Sequence, residues 1–125
     1  MINSFDIDGV IYLGDLGGIF PGPHDIIITG RSSEETTETI TMLCRKGIHN
    51  KVYFNPEKWE NKTRVSSGIH KGNTLKKLIE SGIKIGFHID DDPIQITEIK
   101  KILPDFPVIL MEHDLVEKEN VRHKI

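Results

Sequence analysis

The sequence predicts a layered α/β fold around a mostly parallel sheet. Short β-branched runs alternate with longer segments of helical period, and each run stops at a turn or charge signal. Size sets the other bound. The chain has 125 residues, 37% hydrophobic, with 16 Lys and Arg against 19 Asp and Glu for a formal charge of −3, the balance of one domain (residues 1–125) with its own core. The single cysteine, Cys44, can make neither an internal disulfide nor a cysteine-rich zinc site. No stretch approaches the roughly 18 apolar residues of a membrane span, and MINSFDIDG does not read as a secretory leader. A cytoplasmic protein with no membrane partner is expected, and the acidic balance argues against a general DNA-coating role.

In order along the chain, strands are expected at 2–7, 25–29, 51–54, 85–89 and 107–111. The first helix is expected at 32–46, where Ser32 or Ser33 caps, Glu34 and Glu35 suit the positive end of the dipole, and Gly47 stops the run. Leu75, Leu78 and Ile79 predict a second over 72–81, and Ile96, Ile99, Ile102 and Leu103 behind Pro93 a third over 93–103. The gap 9–24 differs. It holds Gly9, Gly14, Gly17, Gly18, Pro21, Gly22 and Pro23 without helical period, so a turn and hairpin are expected there. Residues 55–70, with Lys58, Trp59, Lys62 and Arg64, read as a surface excursion, and 112–125 as a short helix or frayed tail.

Four stretches carry the chemistry. Asp6-Ile7-Asp8-Gly9-Val10 ends an apolar strand in two carboxylates that face one side if the strand continues, a costly crowding unless a cation or hydrogen bonds stabilise it. Thr29-Gly30-Arg31-Ser32 leads from a strand into a helix amino terminus, which favours an anion. Lys71 opens the second helix, and Asp90-Asp91-Asp92 follows the fourth strand as oxygen ligands for a hard ion such as Mg²⁺. Each has a plainer explanation: a solvated acidic turn, a helix cap, a surface lysine, a charged helix entry.

In this order, the four stretches resemble the motifs of the haloacid dehalogenase superfamily of phosphotransferases over about residues 2–111. The resemblance implies a three-layer, Rossmann-like α/β/α sandwich with a five-stranded parallel sheet of order 5-4-1-2-3. A flap is implied at about 10–22, and a minimal, nearly capless chain. It further implies that Asp6 is the nucleophile and Asp8 the general acid and base. Thr29, Gly30 and Lys71 would hold phosphoryl oxygens, and Mg²⁺ would be bound by Asp6, the Asp8 carbonyl and Asp91, with Asp90 competing for that place. The family's common second acid, four residues after the metal Asp, is Gln95 here.

A Mg²⁺-dependent phosphatase is therefore the expected function; a catalytically idle phosphate-binding or regulatory domain is the alternative. Trp59 beside Lys58, Lys62 and Arg64 suggests a loop that meets a nucleotide or polynucleotide end phosphate, though a solvated basic loop explains the same residues. The six histidines show no metal-binding spacing; His88 is expected to pack or hydrogen-bond within its strand, and Cys44 to be a small buried hydrophobe.

Overall fold

A computed structural model describes residues 1–118. The elements are β1 (Ile2–Phe5), β2 (Tyr12–Leu13), β3 (Leu16–Gly17), β4 (Ile26–Ser32), α1 (Thr36–Arg45), β5 (Val52–Asn55), α2 (Arg64–Glu80), β6 (Ile85–Asp90), α3 (Pro93–Ile102) and β7 (Val108–Leu110). Five strands form one parallel sheet, and β2 and β3 form an antiparallel hairpin. The sheet reads β5-β4-β1-β6-β7. This string is not the expected 5-4-1-2-3, because the hairpin strands take the second and third places in the chain and stand outside the sheet. β4 and β5 lie on one side of β1, and β6 and β7 on the other.

Strand alternation divides the core. Ile27, Phe5 and Ile89 face Leu43 of α1, whereas Ile26, Ile28 and Ile85 face Leu75 of α2 and Ile99 of α3, so helices cover both faces. Ile85 and Ile89 share a parity yet sit on opposite faces. The cause is a bulge: Ile2 pairs with Ile85 and Ser4 with His88, so two steps on β1 match three on β6. The extra residue turns His88 and Asp90 toward α2. Among the described residues no helix is long and apolar enough to cross a membrane.

Several expected boundaries move. The first strand stops at Phe5 rather than residue 7, because the chain turns on itself at the Ile7 carbonyl, which accepts Val10 N–H at 3.2 Å and Tyr12 N–H at 2.9 Å. β4 runs on to Ser32, so Thr29, Gly30 and Arg31 belong to the strand. A short 3-10 turn, Ser33–Glu35, precedes α1, capped by Ser32 in a reciprocal box with Glu35. The helix expected at 72–81 starts at Arg64, where Thr63 and Ser66 cap each other's backbone. The long irregular stretch thus shrinks to 56–63. Residues 112–118 contain no helix, and the remainder of the expected tail lies outside the described residues. Cys44 is exposed rather than buried, with Sγ 3.7 Å from His49 Nδ1; Thr39 and Leu43 form the buried stripe of α1.

Candidate active site

The carboxyl ends of β1 and β6 bring three acids together. Asp6 extends β1 by donating its N–H to the Ile89 carbonyl at 3.0 Å, while Asp90 ends β6 and Asp91 follows it. Carboxylate oxygens of Asp6, Asp90 and Asp91 lie within 4.8 Å of one another, all buried. Lys71 is their counter-charge. Its Nζ is 3.0 Å from Asp6 Oδ1 and 2.6 Å from Asp90 Oδ2, and it too is fully buried. Burial pushes the Asp90 carboxyl up, but the Lys71 ammonium and the His88 hydrogen bond outweigh it and hold the group below the usual carboxylate range. Asp91 moves the other way, raised by burial and by the adjacent Asp90 charge against the opposing pull of Lys118. Three oxygen-donor side chains, met by Lys71 at Asp6 and Asp90 and by Lys118 at Asp91, still outnumber their ammonium partners and suit a hard divalent cation.

Gly9 makes this approach possible. Its φ is 90°, and a Cβ there would stand 1.9 Å from Asp91 Oδ2 and 2.7 Å from His113 Nε2. Conformation and space both demand glycine. The Asp8 carboxylate, by contrast, is not in the cluster. Because the strand has ended, Asp8 swings to Arg31, which donates from Nε at 2.9 Å and from Nη2 at 2.7 Å and also reaches Thr39 Oγ1 at 3.2 Å. The two acids of the Asp-x-Asp motif thus have separate cationic partners.

Thr29 is fully buried and accepts the Arg31 N–H at 3.1 Å, and the Gly30 carbonyl accepts Asn55 Nδ2 and Lys62 Nζ, each at 3.3 Å. Both lie before the helix entrance, whose free N–H groups Ser32 already engages. Lys71 sits in the second turn of α2 rather than at its start. The basic loop differs most from expectation. Lys62 is 2% exposed and pairs with Glu35 at 3.2 Å, while Arg64 makes a two-pronged contact with Asp92 at 2.8 and 2.6 Å. The Trp59 N–H donates to Glu34 Oε1 at 2.9 Å, so the loop is tied to the turn before α1. Lys58 alone of its three cations is exposed. Lys62 and Arg64 hold the loop in place because each lies opposite an acid from another element, a pairing that sequence distance hides.

From the sequence, Ser4 and His113 have no assigned role, Arg31 and Asp92 count only as members of their motifs, and His88 is expected to pack or hydrogen-bond within its strand. Ser4 and His88 each stand two positions before an acid in an otherwise apolar strand, so period two puts them on the acid's face; that signal was present. His88 does hydrogen-bond within its strand, to Asp90. His113 carried no signal, since its contact with Asp91 at 3.0 Å comes from the chain beyond β7. A groove of about 710 Å³ runs between β5 and α2 past Tyr53, Ile69 and His70, and none of the clustered acids lines it. No protein-family model matches the chain, and no curated protein matches it.

Proposed function

We propose that the chain is a Mg²⁺-dependent phosphomonoester hydrolase of haloacid-dehalogenase type that works through an aspartyl-phosphate on Asp6. One observation carries this reading: a buried carboxylate at the end of the central strand shares an ammonium, Lys71, with a second carboxylate, and a third completes an oxygen-donor cluster. Asp6 attacks phosphorus, forming an O–P bond as the ester O–P bond breaks, and Asp8 supplies the proton that the departing oxygen takes. Water then attacks the aspartyl-phosphate and gives its proton to Asp8, releasing phosphate and the Asp6 carboxylate. Lys71, Thr29 and the Gly30 N–H hold phosphoryl oxygens. Asp6, Asp90 or Asp91, and the Asp8 carbonyl would hold Mg²⁺, which when bound offsets the repulsion between carboxylate and phosphate.

The idle phosphate-binding reading has a specific observation on its side. Lys71 already pairs Asp6, and the Arg31 fork engages both oxygens of the Asp8 carboxylate. Catalysis therefore requires substrate to break the Arg31 fork. A nucleotide or polynucleotide end phosphate remains the proposed substrate class, supported now by Lys58 and Trp59 alone.

Turnover of an aryl phosphate with millimolar Mg²⁺, abolished by Asp6→Asn, is the expected outcome. Asp8→Asn should still form phosphoenzyme from an ester with a good leaving group and then stall. No turnover by the parent chain on the aryl ester, nucleotides or 3′- and 5′-phosphorylated oligonucleotides, with phosphate still bound, would leave the idle domain standing.

A further inference from the structure

Beneath the acidic cluster lies a polar chain that the proposed chemistry leaves unused. Ser4 Oγ is 2.8 Å from His88 Nδ1, and His88 Nε2 is 2.9 Å from Asp90 Oδ2; Ser4 and His88 are 0% exposed. The bulge in β6 sets His88 directly across from Ser4. The proton positions follow from the partners. Asp90, 2.6 Å from the Lys71 ammonium, is an acceptor, so His88 Nε2 carries hydrogen and Nδ1 offers the lone pair that takes the Ser4 hydroxyl.

The two neighbouring acids are therefore unequal. Asp90 Oδ2 accepts from His88 and Lys71, and its Oδ1 accepts the Asp92 N–H at 3.1 Å, so both oxygens are engaged within the fold. Asp91 Oδ2 meets His113 Nε2 at 3.0 Å and Lys118 Nζ at 3.3 Å, and its Oδ1 meets no donor among the described residues. We infer that Ser4 and His88 are a positioning pair that commits Asp90 to holding Lys71, which leaves to Asp91 the place beside Asp6 that the family resemblance gives it and for which Asp90 would otherwise compete. This rests on the proposed function for the cation itself. It adds a division of labour: one acid aims the phosphate-binding ammonium, and the other takes the metal.

The division is tested by calorimetric titration with Mg²⁺ alone and then, in Mg²⁺, with inorganic phosphate. Asp91→Asn should weaken Mg²⁺ binding about 10- to 100-fold, whereas Asp90→Asn and His88→Leu should leave it close to the parent's. His88→Leu should instead weaken phosphate binding by about tenfold, and His88→Gln, which keeps a donor toward Asp90, should restore most of it. Loss of Mg²⁺ binding in Asp90→Asn with retention in Asp91→Asn overturns the assignment, as does phosphate binding indifferent to His88. Should the variants not fold, nitrogen-15 spectra of the parent decide: hydrogen on Nε2 of His88 supports the pair, and hydrogen on Nδ1 overturns it. If the parent binds Mg²⁺ and phosphate as described but hydrolyses nothing, the phosphatase reading fails while the pair stands; if it binds no Mg²⁺, the ligand assignment fails with it.

Discussion

His70 sits on the flank of α2 with Nε2 3.3 Å from the Tyr53 carbonyl and Nδ1 3.3 Å from the Thr74 hydroxyl. Burial lowers its pKa from 6.5 to about 4 against the opposing pull of the Tyr53 carbonyl, and the neighbouring Lys71 charge acts in the same direction as burial. The unfolded chain takes up this proton near pH 6.5 and the folded chain only near 4, so the unfolded state binds more protons between them. Stability from this group is complete above pH 6.5 and is lost as the pH falls toward 4, by up to about 3 kcal/mol. Urea unfolding across that range should show a steeper loss for the parent than for His70→Gln. Equal losses would place the pH dependence in other groups.

The α2 helix owes its closeness to α3 to two glycines that raised no signal in the sequence. A Cβ on Gly68 would stand 2.8 Å from the Gln95 backbone, and one on Gly72 would stand 2.7 Å from the tip of the Ile102 side chain. Alanine gains about 1 kcal/mol of helix propensity at either place, but backbone cannot yield as a side-chain methyl can. Chemical denaturation should therefore find Gly68→Ala destabilised by about 1–3 kcal/mol and Gly72→Ala close to neutral. Strands and amphipathic helices were legible because burial enforces their periods, and the acids at the ends of β1 and β6 were legible because apolar strands lead straight into them. The start of α2 was not. Its first turns read Arg-Val-Ser-Ser-Gly, a loop composition by propensity, and only packing against α3 makes a glycine there favourable. Nor could the sequence show that Lys62 and Arg64 are bound by Glu35 and Asp92.

At the scale of the molecule, the chain covers its own acids. His113 and Lys118 both reach Asp91, Leu115 and Val116 pass beside Gly14 of the hairpin, and Asp6 is left 1% exposed. A chain ended after Glu112 should gain kcat/KM on a bulky phosphate ester, by about tenfold if the uncovered state is a tenth of the parent population. Steady-state rates of the two chains on one ester check this, and identical rates would show that the segment does not limit access. The α2 side offers no such opening, because Lys71 stands on a 17-residue helix packed on the sheet and on α3. The bulge in β6 has a further consequence. With Gly86 and Phe87 together opposite Asn3, whose Oδ1 accepts the Phe87 N–H at 3.2 Å, the strand's later half is out of phase with its first. Were the same residues to run without the bulge, strict alternation from Ile85 would send Ile89 toward α2 and Asp90 toward α1, whereas deleting one of the two residues opposite Asn3 would remove the bulge and leave both facing as they do. What the site depends on is thus the pairing of His88 with Ser4 rather than the count of residues before it: the bulge takes up one residue that the strand could lose without turning Asp90 away from Lys71.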